Sequence, residues 1–516
     1  MNRYLRNIIL LLFEIIFLWT TVLIFGFQDK FINYTTKCYD FKNIYYLGIA
    51  LSFVICGYII NLKYSAAIRK FLDKYHKIIV LISLIVLLGW QLFACYGSYF
   101  NSGWDPGTIL NASIGVFKNK SELINLAYFS YFPNNLMIVW LFSHIYKLAQ
   151  FFGYLNFEYS VVFFQCIIDV VVLWLVYKIV INYTHNYKVA MLSYFLAYFF
   201  VGISPWYIVT YSDAVGILFP VGIIRLYQIQ KNDLSNLKLI IIQMLIGFVS
   251  ILGYHIKPQI FILFIAIVLF EFCAIFNNNF RINLKSFVSK LISFLIGIAL
   301  FSLVYNIYIV PSLHLQLNVE SKIGWQHFVM MGLNEENDGA FLASDYSISF
   351  NIKTINERNK VNLREAENRI KHYGFGGLIN HLNRKQFVNY GDGTFAWGAE
   401  GNFFAGDPKW AHNSSSNFVR SFIKPEGKNY RFFLSSKQIL WNLILFFLLF
   451  VFLFFYKGGI DESLSLIMII SIIGLTLFEL IFEARSRYLF CYAPIYVILC
   501  IQGMQGLHKT FKNKFH

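Results

Sequence analysis

Two carboxylates and three cations stand out in a strongly apolar chain, and their settings define what chemistry they could do. Asp105 lies in Gly103-Trp-Asp-Pro-Gly107, and Asp213 closes Tyr211-Ser-Asp213. A carboxylate in such a place can take a proton from a hydroxyl nucleophile or hold a donor group. Each also has a plainer reading. A turn alone accounts for Asp before Pro-Gly, and a helix N-cap accounts for Asp213. The cations sit in two short links. Lys257 belongs to Tyr254-His-Ile-Lys-Pro258, and Arg485 and Arg487 belong to Glu483-Ala-Arg-Ser-Arg-Tyr488. The point charge of Lys and the planar fork of Arg suit an anionic headgroup such as a phosphate. Snorkelling at an interface, or pairing with Glu479 and Glu483, would explain the same residues.

The elements that position these groups must be membrane helices. Of 516 residues, 58% are hydrophobic and only 14% charged, with mean hydropathy +0.57. A soluble fold carries about 25% charged residues, so most of this surface must face lipid. A span needs about 20 mostly apolar residues. Segments 7–26, 44–62, 77–96, 159–181, 188–204, 213–229, 239–254, 258–276, 287–310, 438–456, 463–482 and 488–506 meet that need. Segment 136–152 is short and carries His144, Lys147 and Gln150. Parity decides its reading. If it does not cross, the basic links with Lys63–Lys77, Lys178 and Lys188, Lys231 and Lys238, Arg281–Lys290 and the tail all fall on the cytoplasmic side. That satisfies the positive-inside rule, so 136–152 is read as lying on the surface or re-entering. Both termini are then cytoplasmic. Asp105, Asp213, Lys257 and the Arg485–Arg487 link all emerge on the opposite face.

The expected fold is thus all-α: a bundle of about twelve transmembrane helices with juxtamembrane helices and one large extracytoplasmic region. Residues 1–310 form an N-terminal membrane region, 311–437 the outer cap, and 438–516 a C-terminal membrane region with a basic tail. Within the cap, Thr354 and Glu357 fit a capping box. An amphipathic helix over 356–373 follows, with Gly374 as its C′ residue, and a second short helix over 377–387. Trp397, Phe403, Phe404 and Trp410 sit among glycines. They read as packing of a small cap, or as a lid whose rings could stack on sugar faces.

Other groups carry less. Glu14, Asp169, Glu271 and Glu479 fall in or near spans, where acids are functional candidates. His144, His255 and His327 read as structural. The seven cysteines lie mostly in apolar runs without metal-ligand spacing, which excludes a disulfide framework. The net charge is +16, but its dispersal between apolar runs excludes a nucleic-acid stripe. HExxH, Walker A, GxSxG and dinucleotide motifs are absent. No motif calls for a cofactor, and a need for a divalent metal is left open.

These residues, in this order, resemble the GT-C superfamily of integral membrane glycosyltransferases. The resemblance rests on Trp104-Asp105 after an early span, Tyr131-Phe-Pro-Asn-Asn135 before a surface helix, Tyr211-Ser-Asp213, Ile256-Lys-Pro258 and Glu483-Ala-Arg-Ser-Arg-Tyr488. Within the superfamily the chain is most similar to the branch of protein O-mannosyltransferases and lipid A aminoarabinose transferases. More narrowly, it resembles a group of integral membrane proteins of low-GC Gram-positive bacteria. The chain departs in carrying Pro106 where many relatives have a second acid. Two spans also precede the one that leads into Asp105. The resemblance implies a multi-pass cell-membrane enzyme that moves a sugar from a polyprenyl-phosphate donor, with inversion, to a surface glycan, lipid or protein. Asp105 and Asp213 would be the catalytic acids. Lys257, Arg485, Arg487, Trp104 and Tyr211 would bind substrate. Two other readings share the same cations: a transporter or flippase of lipid-linked saccharides, and a glycan polymerase or ligase outside the superfamily.

Overall fold

The structure is a computed structural model describing residues 3–32, 41–232, 234–276, 280–401, 404–455 and 462–514. Phe403, one of the seven cysteines (Cys38) and the last residue of segment 438–456 lie outside these described residues. Every apolar segment named above falls on a helix. Short helices at Gln28–Phe31 and Val451–Phe455 aside, the helices in chain order are α1 (Arg3–Gly26), α2 (Asn43–Ser98), α3 (Asp105–Lys118), α4 (Leu126–Tyr131), α5 (Leu136–Phe151) and α6 (Phe157–Thr184). Next come α7 (Tyr187–Ala197), α8 (Ser212–Ile229), α9 (Asn236–Ile256), α10 (Phe261–Ile275) and α11 (Phe280–Val304). The chain continues with α12 (Trp325–Gly332), α13 (Ala343–Phe350), α14 (Ile355–Tyr390), α15 (Ser416–Ile423), α16 (Tyr430–Leu448), α17 (Ser463–Ile481) and α18 (Ala493–Lys514). Among the described residues the one strand pair is antiparallel, β1 (Asn101–Ser102) with β2 (Phe404–Gly406).

The protein is an all-α membrane protein, and its surface shows why. On α1, Phe13, Phe17 and Ile24 are buried, while Leu11, Ile15 and Leu18 are each more than half exposed. Apolar side chains in such continuous exposed stripes need lipid against them. Among the described residues, nine helices are long and apolar enough to cross a membrane. The sequence suggested about twelve spans, and the difference has a structural cause. Two spans lie in α2, a 56-residue element with non-helical geometry at Tyr64. Left straight, it would be about 84 Å long. Yet both its ends meet residues 413–442: Gln438 Nε2 donates to Asn43 Oδ1 at 2.7 Å, and Asn413 Nδ2 donates to Tyr96 O at 2.7 Å. The element therefore doubles back at Tyr64. Near the bend, Lys188 Nζ donates to Asn61 Oδ1 (3.1 Å) and to Ser65. The other two shortfalls are the segment from α7 through its π turn to Gly202 and the segment that α16 opens, where the helix breaks after Leu448.

Helix α5 is 16 residues long, about 24 Å by the helical rise, which is less than the ~30 Å hydrocarbon core. Helix α16 starts at Tyr430, so its first turns come from the segment assigned to the cap.

One expectation within the cap needs correction. Thr354 does occupy the N-cap of α14, but its side chain makes no capping bond. Instead the Ile355 amide donates to Glu320 Oε2 at 3.2 Å, so a carboxylate from a distant turn serves the helix start. Gly374 interrupts the helix as expected: with φ 56° it makes the break between the two helices that α14 joins, the second running on to Tyr390. Tertiary bonds hold the second half in place: Trp19 Nε1 donates to Asn383 Oδ1 (2.7 Å), and Gln386 Nε2 to Thr20 Oγ1 (2.6 Å). The cap also has an interior cation. Arg358, 1% exposed, donates to the carbonyls of Ser349, Glu320, Lys322 and Ile352.

Helices α9 and α11 pack through facing glycines. A Cβ on Gly247 would lie 2.0 Å from Phe294 O, and one on Gly297 would lie 1.9 Å from Met244 O. Small residues permit this close backbone approach in membranes. Gly297→Val is expected to lower the melting temperature of the detergent-purified protein, reflecting a loss of about 1–3 kcal/mol from overpacking. Gly57→Ala, where a Cβ meets nothing within 4 Å, is the control. Equal melting of the two variants would show that this contact does not hold the helices.

Candidate active site

Four chain breaks converge at one end of the bundle, and each places one of the singled-out side chains. Trp104 is the extended N-cap residue of α3, with Asp105 and Pro106 in the first turn. Tyr211 is the extended N-cap residue of α8, so Asp213 sits inside the first turn and is not itself the cap. Carboxylates there lie at the positive end of the helix dipole. Lys257 ends α9 in an extended conformation (φ −156°, ψ 112°) before Pro258. A residue before proline is driven to that region, so the Lys-Pro pair breaks the helix and turns the lysine inward. Arg485 adopts nearly the same geometry (φ −155°, ψ 114°) before the 3-10 turn Ser486–Tyr492.

All seven residues picked from the sequence meet in this one region. Asp213 is buried, 1% exposed, between two cations. Lys257 Nζ bonds one oxygen, and Arg487 Nη1 donates to the other at 2.9 Å. Arg487 continues to Glu400 Oε2 at 3.2 Å, and Arg485 bonds Glu400 Oε1. Arg485 Nε also donates to Glu483 Oε1 at 2.9 Å. The result is a chain of three cations and three carboxylates that balances its own charge. Aromatic rings close around it. The Arg487 guanidinium lies 4.4 Å from the Trp104 ring centre and 5.3 Å from that of Tyr211. Lys257 lies 5.1 Å from the ring centre of Tyr488.

Asp105 stands beside this chain but outside its pairing. Among the described residues it makes no ion pair. The Tyr211 hydroxyl donates to its Oδ2 at 3.2 Å. Burial raises its proton affinity above the ordinary aspartate range, against the lowering effects of Arg487, Tyr128 and Tyr211. Glu400 behaves oppositely. Burial pushes its carboxyl up, but Arg485 and Arg487 outweigh burial and hold it below the usual range. One end of the bundle thus holds an acid that binds protons readily and acids locked in the ionised form.

Glu400 and Tyr128 were not singled out from the sequence. Glu400 lay in Gly398-Ala-Glu-Gly401, legible only as a turn, and nothing local ties it to Arg487. The β1–β2 pair explains the placement: it joins the strand just before Asp105 to the strand that follows Glu400. Other candidates lie elsewhere or do other work. Asp169 accepts from Gln91 (3.0 Å), and Glu271 accepts from Lys290 and from Tyr227, each at 2.7 Å. His255 stacks on Tyr305 at 3.8 Å, and His327 bonds Ser349 at 2.7 Å. Trp397 is fully buried, edge-on to Trp206 at 5.6 Å, so it offers no face to a ligand. Among the described residues, no three His, Cys, Asp or Glu side chains are grouped to hold a metal.

The fold and this site define a polytopic integral membrane protein whose helix breaks gather a buried charged cluster at one end. The chain belongs to the family of conserved hypothetical integral membrane proteins, whose model matches residues 1–506. No curated protein matches it. Among solved structures it is similar to the archaeal oligosaccharyltransferase AglB from Archaeoglobus fulgidus, in complex with an inhibitory peptide and a dolichol-phosphate. The identity is 12%, the TM-score 0.38, and the match covers 86% of this chain and 52% of that one. The chain thus spans about half the length of that protein.

Proposed function

We propose that the protein is a membrane glycosyltransferase that uses a polyprenyl-phosphate-linked sugar and works at the extracytoplasmic face. The observation that carries this reading is Asp105: a half-buried carboxylate that accepts from the Tyr211 hydroxyl, makes no ion pair among the described residues, and stands beside a cation cluster. A general base needs that freedom, because a paired carboxylate has little tendency to take a proton. Asp105 removes the proton of an acceptor hydroxyl. The hydroxyl oxygen bonds to the anomeric carbon from the side opposite the phosphate, so the centre inverts. The carbon–oxygen bond to phosphate breaks, its electron pair leaves on the polyprenyl phosphate, and the proton passes from Asp105 to solvent.

Arg487 and Arg485 hold the leaving phosphate in this reading. Both are now engaged by Glu400, whose carboxylate occupies the forks that a phosphate would take. Donor entry exchanges one anion for another, without exposing a bare cation. Asp213 and Lys257 keep Arg487 aimed, and fixed charges of this kind stabilise charge that develops on a leaving group. Residues 311–437 select the acceptor, a surface glycan, lipid or protein.

Mass spectrometry of surface glycans from cells with and without the protein tests this reading. The expected result is the loss of one sugar substituent and accumulation of its polyprenyl-phosphate form. Identical glycan profiles, with the lipid-linked sugar unchanged, would reject it.

A further inference from the structure

The turn from α5 into α6 carries an apolar surface that the rest of the described chain leaves uncovered. Phe151 is 82% exposed and Phe152 76%, and Leu148 and Leu155 also show most of their surface. No charged residue falls between Lys147 and Glu158. The turn is nonetheless firmly built. Gly153, at φ 79°, closes α5. Its amide donates to Gln150 O at 2.8 Å, and the Tyr154 amide donates to Ala149 O at 3.0 Å, the paired bonds of a glycine-ended helix. The Tyr146 hydroxyl donates to Leu155 O. The Asn156 side chain then accepts from the Tyr159 amide at 2.9 Å and starts α6. An ordered backbone therefore holds the four apolar side chains outward.

Contacts at the two ends of α5 identify what meets this surface. Just before α5, Tyr131 O accepts from the Ile323 amide of the cap at 3.0 Å, and the Tyr131 ring lies 3.9 Å from that of Phe350. The chain is at the same end of the bundle when α6 opens. The Tyr159 hydroxyl donates to Leu92 O at 3.2 Å, close to where α2 ends. The Tyr159 ring meets Trp410 at 5.5 Å, and Trp410 stacks on Tyr99 at 5.1 Å. Helix α5 thus returns to the Asp105 end without crossing. Helix α6, long and apolar enough to span, starts two residues after Leu155. Its Phe163, Ile167 and Trp174 share one face and are exposed, so lipid meets the chain directly beyond the turn. We propose that Leu148, Phe151, Phe152 and Leu155 form a lipid-inserted tip that anchors a non-crossing helix in the leaflet at the Asp105 end. An uncharged surface rich in Phe and Leu binds at the boundary of headgroups and acyl chains. The tip is fastened to α3, the helix that Asp105 opens: the Phe117 ring meets Tyr146 at 4.5 Å, and Tyr146 meets Phe157 at 4.7 Å. It therefore sets the depth of α3 and α5 together, whether or not the chain transfers sugar.

Photo-cross-linking of the full-length protein tests this without an enzyme assay. The photoreactive p-benzoylphenylalanine replaces Phe151 or Phe152, one at a time, in nanodiscs of phosphatidylglycerol and phosphatidylethanolamine. Phe53, exposed on the first limb of α2, takes the same group as the lipid-facing reference. After irradiation, the expected result at Phe151 and Phe152 is a phospholipid adduct on the peptide that carries them, as at Phe53. Adduct at Phe53 alone would place the turn in water and overturn the tip. Cross-links to a second copy of the chain would make the surface an interface between copies and overturn it equally. A double variant, Phe151→Asp with Phe152→Asp, tests the anchoring. Amide hydrogen exchange along α5 is expected to quicken in nanodiscs while α9 keeps parental rates. Parental exchange along α5 would show that the turn anchors nothing.

Discussion

Asp105→Asn is expected to reduce sugar transfer by about 10²- to 10⁴-fold, the usual contribution of a positioned general base, while the protein still inserts and folds. Asn preserves the shape of the side chain and can still accept from the Tyr211 hydroxyl, but it cannot take up a proton. The stability effect has a definite sign. The folded state raises the proton affinity of Asp105 above its unfolded value. Between those two values the native state binds more protons than the unfolded state, so stability falls as pH rises through that window. Above that window the ionised carboxylate is therefore a net cost. Removing the charge is expected to raise the melting temperature at the same time as activity is lost. Transfer by the parent should also fall as pH drops through the raised value, because the base must be ionised. That acidic limb should vanish in any residual activity of the variant. Undiminished transfer by correctly inserted Asp105→Asn would remove it as the base.

Arg487→Met is expected to give the largest loss of stability of any single change in the cluster. Arg487 is 4% exposed, and it connects Asp213 and Glu400, themselves 1% and 7% exposed. Removing one member of a buried ion pair leaves an uncompensated charge, which costs about 3–5 kcal/mol. Asp213 keeps Lys257, and Glu400 keeps Arg485, so the network loses its centre and not all of its pairing. Arg487→Lys is expected to rescue only part of the loss. A lysine is a point charge that cannot span two carboxylates with one planar fork or stack as well between Trp104 and Tyr211. Adding Glu400→Gln to Arg487→Met should recover part of the melting temperature by removing the stranded anion. Parent-like melting of Arg487→Met in nanodiscs would show that the cluster contributes little to stability.

The sequence by itself determined the membrane class, because a deficit of charge over 516 residues cannot cover a soluble core. It placed the spans, because a helix must run apolar for about 20 residues to cross a bilayer. It also located the helix breaks that carry Asp105, Asp213, Lys257, Arg485 and Arg487, since Pro and extended residues interrupt helices locally. Short-range rules reached no further. Thr354 and Glu357 match a capping box, yet Glu320 caps the helix. Only the tertiary structure decided that the three cations are already matched by three carboxylates. Their partners sit up to 274 residues away, and no local pattern encodes such a pairing. It also decided that, of the two aspartates picked out, Asp213 is ion-paired while Asp105 makes no ion pair among the described residues. Coulomb energy in a buried site depends on distances between helix ends, and those distances exist only once the bundle has formed.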